Sequence, residues 1–195
     1  LERPMEQGGM ERIAGLTRAL MQTAGAGFDT IDRIGVTAGP GSFTGLRVGL
    51  AFAQGLGAAL ARPVIGLSSL DGLAASTATE GVVMAVIDAR RGQVYARAFR
   101  DGSPLGAPEA LDLDQAQVQA RALGAGLRLV GSGAPLVAAG LDRTEVIALA
   151  APSPTALARL TRAAEPEAAP PRPLYLRAPD AKPSTRRPGA PRTAA

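Results

Sequence analysis

The stretch Gly39-Pro40-Gly41-Ser42-Phe43-Thr44-Gly45-Leu46-Arg47-Val48-Gly49, continuing to Leu60, decides the fold: a glycine-punctuated loop runs straight into a helix with almost no polar side. From Phe43 or Thr44 onward, only Arg47 and Gln54 are strongly polar. A helix that is apolar nearly all round has to be covered nearly all round. One face can lie on the chain's own sheet. The face bearing Arg47, Leu50, Ala51, Gln54 and Ala58 then needs a second cover, and another polypeptide is the expected supplier. Gly45, Gly49, Ala53 and Gly57 recur every fourth residue. Such a stripe of small side chains allows close approach by a partner, or by the chain's own preceding helix.

Upstream, Met10, Ile13, Leu16, Leu20 and Met21 repeat at the helical period, with Glu11, Arg12, Arg18 and Gln22 turned away. Residues 10–24 therefore read as an amphipathic helix, stopped by Gly25 and Gly27. Residues 34–38 and 63–67 read as short strands on either side of the glycine loop and its helix. This β-loop-α-β unit predicts a parallel strand pair. Ser68 is a good cap for a short helix through Leu70, Leu73 and Ala74.

Residues 82–87 form the continuous apolar run of a strand buried on both faces. Residues 88–92 read as a hairpin connection and 93–99 as the returning strand. Residues 111–123 read as a helix and 127–130 and 145–149 as extended; a last helix spans 153–164, with Ser153 as cap and Pro154 at its first position. The expected organisation is an N-terminal lobe at 1–80, a C-terminal lobe at 81–164 and a Pro-rich basic tail at 165–195. Eight of the sixteen prolines fall in that tail. Residues 173–177 carry its apolar anchor and are expected to dock, with residues after Lys182 loose.

An apolar content of 46% suits a globular chain with one sizeable core or two small lobes. Cys and His are both absent from the sequence, which removes disulfides, thiolate nucleophiles, imidazole bases and the usual zinc ligands. The net charge of +4 resembles a nucleic-acid footprint until the charges are located. Four of the 21 bases lie in residues 181–195, which hold no acid, so the first 180 residues carry seventeen bases against seventeen acids. With only 3% aromatic residues, the body has few platforms for base stacking. The fourteen mostly apolar residues between Arg47 and Arg62 read as too short to cross a bilayer. No secretory signal is recognisable, and a cytoplasmic location is expected.

Gly39, Gly41, Ser42 and Thr44 before a helix suit either an anion- or nucleotide-binding loop or a tight structural turn. The loop lacks the lysine of a Walker A motif and does not match Gly-x-Gly-x-x-Gly. Ser42 or Thr44 also reads as an ordinary helix cap. Asp88, Arg90 and Arg91 sit at a hairpin, as a catalytic corner or a self-satisfied turn.

Three blocks then stand together: Thr37-Ala-Gly-Pro-Gly-Ser-Phe-Thr-Gly-Leu-Arg-Val-Gly, Ile87-Asp-Ala-Arg-Arg-Gly-Gln-Val-Tyr and Pro173-Leu-Tyr-Leu-Arg-Ala-Pro-Asp-Ala-Lys. In this order and spacing they resemble the bacterial TsaB (YeaZ) family, the dimerization subunit of the tRNA threonylcarbamoyladenosine machinery. The resemblance implies an α/β, actin-like/Hsp70-like ATPase fold: two lobes of ribonuclease-H-like topology, with the first apparently lacking its N-terminal strands. It implies a noncatalytic scaffold that binds TsaD, with TsaE, for threonylcarbamoyl transfer to N6 of the adenosine beside the anticodon of ANN-decoding tRNAs. It also implies a homodimer when alone, contact with tRNA through the complex, no cofactor or metal in this chain, and ATP used by the complex. Carried over, the shared interface falls on Arg12, Gly15 and Ala19 of one helix and Gly45, Arg47, Leu50, Ala51, Gln54 and Ala58 of the other. The alternative from a different class is a nucleotide-binding, phosphotransferase-like enzyme of the same fold. A peptidase is a third reading, against which the absence of His and Cys argues.

Overall fold

β1 (Ile34–Gly39) and β2 (Val64–Ser68) pair in parallel, with Ile34 opposite Val64 and Thr37 opposite Leu67. This is the pairing the β-loop-α-β reading predicts. The computed structural model describes residues 9–77, 80–166 and 171–177. Between the two strands runs α2 (Phe43–Leu60), whose N-cap Ser42 accepts a hydrogen bond from the Gly45 amide at 3.4 Å. Preceding them is α1 (Gly9–Thr23), which lies against α2. Neither strand of this small sheet has a second neighbour among the described residues.

The larger sheet has the order β5 (Ser103–Pro104), β4 (Gln93–Arg100), β3 (Val82–Arg90), β7 (Arg128–Val130) and β8 (Glu145–Ile147), with β6 (Glu109–Asp112) also paired to β4. β3 is antiparallel to β4 and parallel to β7. Residues 83–86 are buried on alternate faces, as their unbroken apolar run requires. On one face Met84, Val86, Val94 and Leu129 pack beneath α4 (Leu113–Ala122) and α5 (Ala134–Ala138). On the other, Val83, Ala85, Phe99 and Val130 meet Leu70 and Leu73 of α3 (Ser69–Ala74). The chain then returns through α6 (Pro154–Ala163) to β1, β2 and α3. Arg33 fastens this return by donating to the carbonyls of Arg162 and Ala164, both at 3.0 Å. Both carboxylate oxygens of Asp71, at the start of α3, accept from Nη1 of Arg97 of β4, at 2.7 and 2.9 Å, tying α3 to the larger sheet.

Three sequence-based expectations need correction. Residues 111 and 112, read as helical, pair with Val94 and Gln93 as the end of β6, and the helix begins at Leu113 under a capping box from Asp112 to Gln115. α5 and the short strands β5 and β6 went unrecognised, because elements of two to five residues carry too little periodicity to register. α2 has eighteen residues with mean hydropathy 1.2, so by length and composition alone it could cross a bilayer; Phe43 to Leu46 extend it beyond the stretch judged too short. Its buried side, 22% of its residues, lies on the small sheet. The expected looseness after Lys182 lies outside the described residues.

Candidate docking interface

Leu46, Leu50, Ala53 and Gly57 bury one stripe of α2 at helical spacing. That stripe rests on β1 and β2: a methyl group at Gly49 would lie 3.7 Å from Val36 Cγ2, and one at Gly57 would lie 3.0 Å from the Arg62 carbonyl oxygen. Three of the four small residues of the stripe, Gly49, Ala53 and Gly57, thus face the chain's own sheet, while Gly45 is exposed. Across the helix, Gly45, Arg47, Ala51, Gly55, Ala58 and Ala59 are exposed.

α1 is similarly one-sided. Ile13, Thr17 and Met21 are half-buried, whereas Arg12, Gly15, Leu16, Ala19 and Leu20 are exposed, Leu20 to 55%. Leu16 and Leu20, expected on the inward face, are therefore left outside by a cover too narrow for the apolar arc. Two residues expected on the outward face of α2 do not belong there. Leu50 is only 3% exposed and is part of the core, because it lies about 100° round the helix from Ala51. Gln54 is half-buried and donates to the Pro171 carbonyl at 2.8 Å, so its cover is intramolecular.

That cover is the C-terminal strap, residues 171–177, which includes the 173–177 segment expected to dock. The Leu174 amide donates to the Ala38 carbonyl at 2.7 Å, beside Gly39, whose φ of +122° and lack of a side chain admit the Leu174 carbonyl oxygen. Pro171 is buried against Gly66 of β2. At its far end Arg177 donates to the Ala89 carbonyl and to Gln93 Oε1 at the β3–β4 hairpin, at 3.4 and 3.3 Å. Between these anchors Tyr175 stacks on Phe43 with ring centres 5.1 Å apart, and its hydroxyl accepts from Arg47 Nε at 3.0 Å. The Arg47 guanidinium lies 3.7 Å from the Phe43 ring centre. Neither Phe43 nor Tyr175 was singled out from the sequence. Phe43 could have been found as a bulky apolar residue in the first turn of a helix; Tyr175 reaches it only through the strap's path.

The glycine loop encloses a cavity of about 280 Å³ lined by Thr37, Pro40, Gly41, Ser42, Gly45 and Leu46 on one side and by Ser69, Leu73, Ile87 and residues 150–152 on the other. Three hydroxyls, of Thr37, Ser42 and Ser69, are the polar side-chain groups of that lining. Gly39 is buried beneath the strap and is not part of that lining, and Thr44 is exposed on the first turn of α2. At the β3–β4 hairpin, Asp88 Oδ1 accepts from the Arg90 amide at 2.8 Å while the Arg90 side chain stays largely in solvent. The corner is self-satisfied. Among the described residues no three His, Cys, Asp or Glu side chains converge as metal ligands would.

A family model described as TsaD: tRNA N6-adenosine threonylcarbamoyltransferase matches residues 7–114, a span containing α1, the glycine loop and α2. The structure aligns with YeaZ from Pseudomonas aeruginosa at a TM-score of 0.74 and 29% identity, covering 89% of this chain and 87% of that one. A second Pseudomonas aeruginosa structure, described as similar to peptidase YEAZ, aligns at TM-score 0.71 and 31% identity over 86% and 83% of the two chains. The chain belongs to the TsaB/YeaZ family. The tRNA threonylcarbamoyladenosine biosynthesis protein TsaB of Escherichia coli is 39% identical over 90 residues, 44% of this chain and 38% of that protein. An uncharacterised protein of Mycobacterium tuberculosis is 38% identical over 176 residues, 89% of this chain and 77% of its own length. The segment matched by the TsaD family model includes the exposed Leu16 and Leu20 of α1 and Phe43 of α2.

Proposed function

We propose that this chain is a noncatalytic docking subunit that binds a TsaD-type transferase through the exposed face of α1 and α2. Membership of the TsaB/YeaZ family supports a role in tRNA threonylcarbamoyladenosine biosynthesis. In this reading the transferase, with TsaE, moves the threonylcarbamoyl group to N6 of the adenosine beside the anticodon of ANN-decoding tRNAs. This chain holds the transferase in its working form, meets tRNA through the complex, forms a homodimer when alone and resides in the cytoplasm. It binds no cofactor itself, and ATP is used by the complex. The carrying observation is the run of exposed small and apolar side chains on two adjacent helices: Gly15, Leu16, Ala19 and Leu20 with Ala51 and Ala58. Small residues let a second helix pair approach closely, and exposed leucines gain by being covered.

Ala51→Glu and Ala58→Glu, each placing a charge on that face, are expected to abolish co-purification with TsaD, because a carboxylate buried there without a partner costs several kcal/mol. Retained binding by both variants would remove the assignment. A nucleotide-binding enzyme is the second reading, and the cavity beside the glycine loop is the observation that raises it. At about 280 Å³, with hydroxyls as its polar side chains, that cavity lies below the ~300–1,000 Å³ of most small-molecule pockets. Calorimetry with ATP and magnesium on the isolated chain separates the two: micromolar binding with turnover would favour the enzyme.

A further inference from the structure

We propose that the C-terminal strap is part of the docking face, and that Phe43, Arg47 and Tyr175 together form a receptor for a carboxylate on the partner protein. The inference rests on the docking reading above. Arg47 lies one helical turn from Ala51, so the cluster is continuous with the exposed face of α2. Its guanidinium is fixed twice, by the Phe43 ring beneath it at 3.7 Å and by the bond from Nε to the Tyr175 hydroxyl at 3.0 Å. Both terminal nitrogens remain without a hydrogen-bond partner or acid among the described residues. A planar guanidinium that is already oriented, with one edge free, suits a bidentate carboxylate, and little rotamer freedom is left to lose on binding.

Three observations select an acidic protein surface over other occupants. The first turn of α2 contains no acid, so the positive end of that helix adds to the field of Arg47. Together α1 and α2 carry Arg12, Arg18 and Arg47 against Glu11 as their one acid, so the helix pair presents a net positive charge to whatever covers it. Finally, the cation is bordered by apolar rings, Phe43 being 48% and Tyr175 43% exposed. Nucleic-acid backbones are gripped by many cations at once, whereas α2 offers one in eighteen residues. An exposed aromatic pair around a single arginine has the composition of a protein-protein hot spot.

The experiment is calorimetric titration of the full chain with the TsaD protein of the same organism, at salt from about 50 mM to about 500 mM. Binding by the unaltered chain is expected to weaken as salt rises, because an attraction is being screened. Arg47→Met should weaken low-salt binding about tenfold and flatten the salt dependence. Arg47→Lys should fail to restore it, since the charge returns without the fork. Tyr175→Phe keeps the ring but removes the hydroxyl, and should weaken binding about threefold. Both side chains replaced are exposed, so melting temperatures should stay close to that of the parent. The proposal is overturned if Arg47→Met binds TsaD like the parent, if binding strengthens with salt, or if the variant loses affinity for tRNA while keeping that for TsaD. If the unaltered chain does not bind TsaD at all, the docking reading itself has failed, which is a different result from a parent that binds and variants that bind equally well.

Discussion

Leu50 and Ala51 are adjacent in the chain and opposite in consequence. Leu50 is part of the stripe that α2 presses onto β1 and β2, and Ala51 faces outward. Leu50→Ala is expected to cost about 2–4 kcal/mol, the loss of a buried side chain plus the cavity it leaves, read as a lower urea midpoint. Ala51→Glu should change stability by less than about 0.5 kcal/mol in the same measurement while removing partner binding. A Leu50 variant that unfolds normally but fails to dock would contradict this division. The sequence marked both residues as one face because the helix is apolar on every side; about 100° of rotation separates them, and only the position of the sheet says where the core ends.

At the scale of elements, the strap is what distinguishes this helix pair from an open one. It covers Gln54, braces Arg47 and bridges the small sheet to the β3–β4 hairpin. Its seat depends on Gly66: a methyl group there would stand 2.5 Å from Pro171 Cβ, closer than non-bonded carbons approach. Gly66→Val should therefore lift the strap, leaving the Leu174 amide without its bond to Ala38 and speeding its hydrogen exchange, while amides of β3 and β4 keep their protection. Unchanged exchange at Leu174 would show that the strap is held by other contacts. The docking of residues 173–177 was legible, since they are the apolar anchor of a Pro-rich tail. The end of β6 was not, because Leu111 and Asp112 continue the pattern of α4 and become strand only by pairing with β4.

For the whole molecule, β3 is the shared wall of both hydrophobic clusters, with Met84 in one and Ala85 in the other. Met84→Ala is expected to cost about 2–5 kcal/mol and to shift the unfolding transitions seen by tyrosine fluorescence and by far-ultraviolet circular dichroism together. Two separated transitions would mean that the clusters fold as independent units. The sequence by itself determined the parallel β-loop-α-β unit, the buried central strand and the excess of apolar surface on α2, because these follow from periodicity and turn chemistry within a few neighbouring residues. Only the tertiary structure decided which side of α2 is spent inside, that Leu16 and Leu20 remain outside, and that Tyr175 meets Arg47. The first two outcomes depend on how α1, α2 and the small sheet pack, and the third on segments more than a hundred residues apart; no local pattern records either.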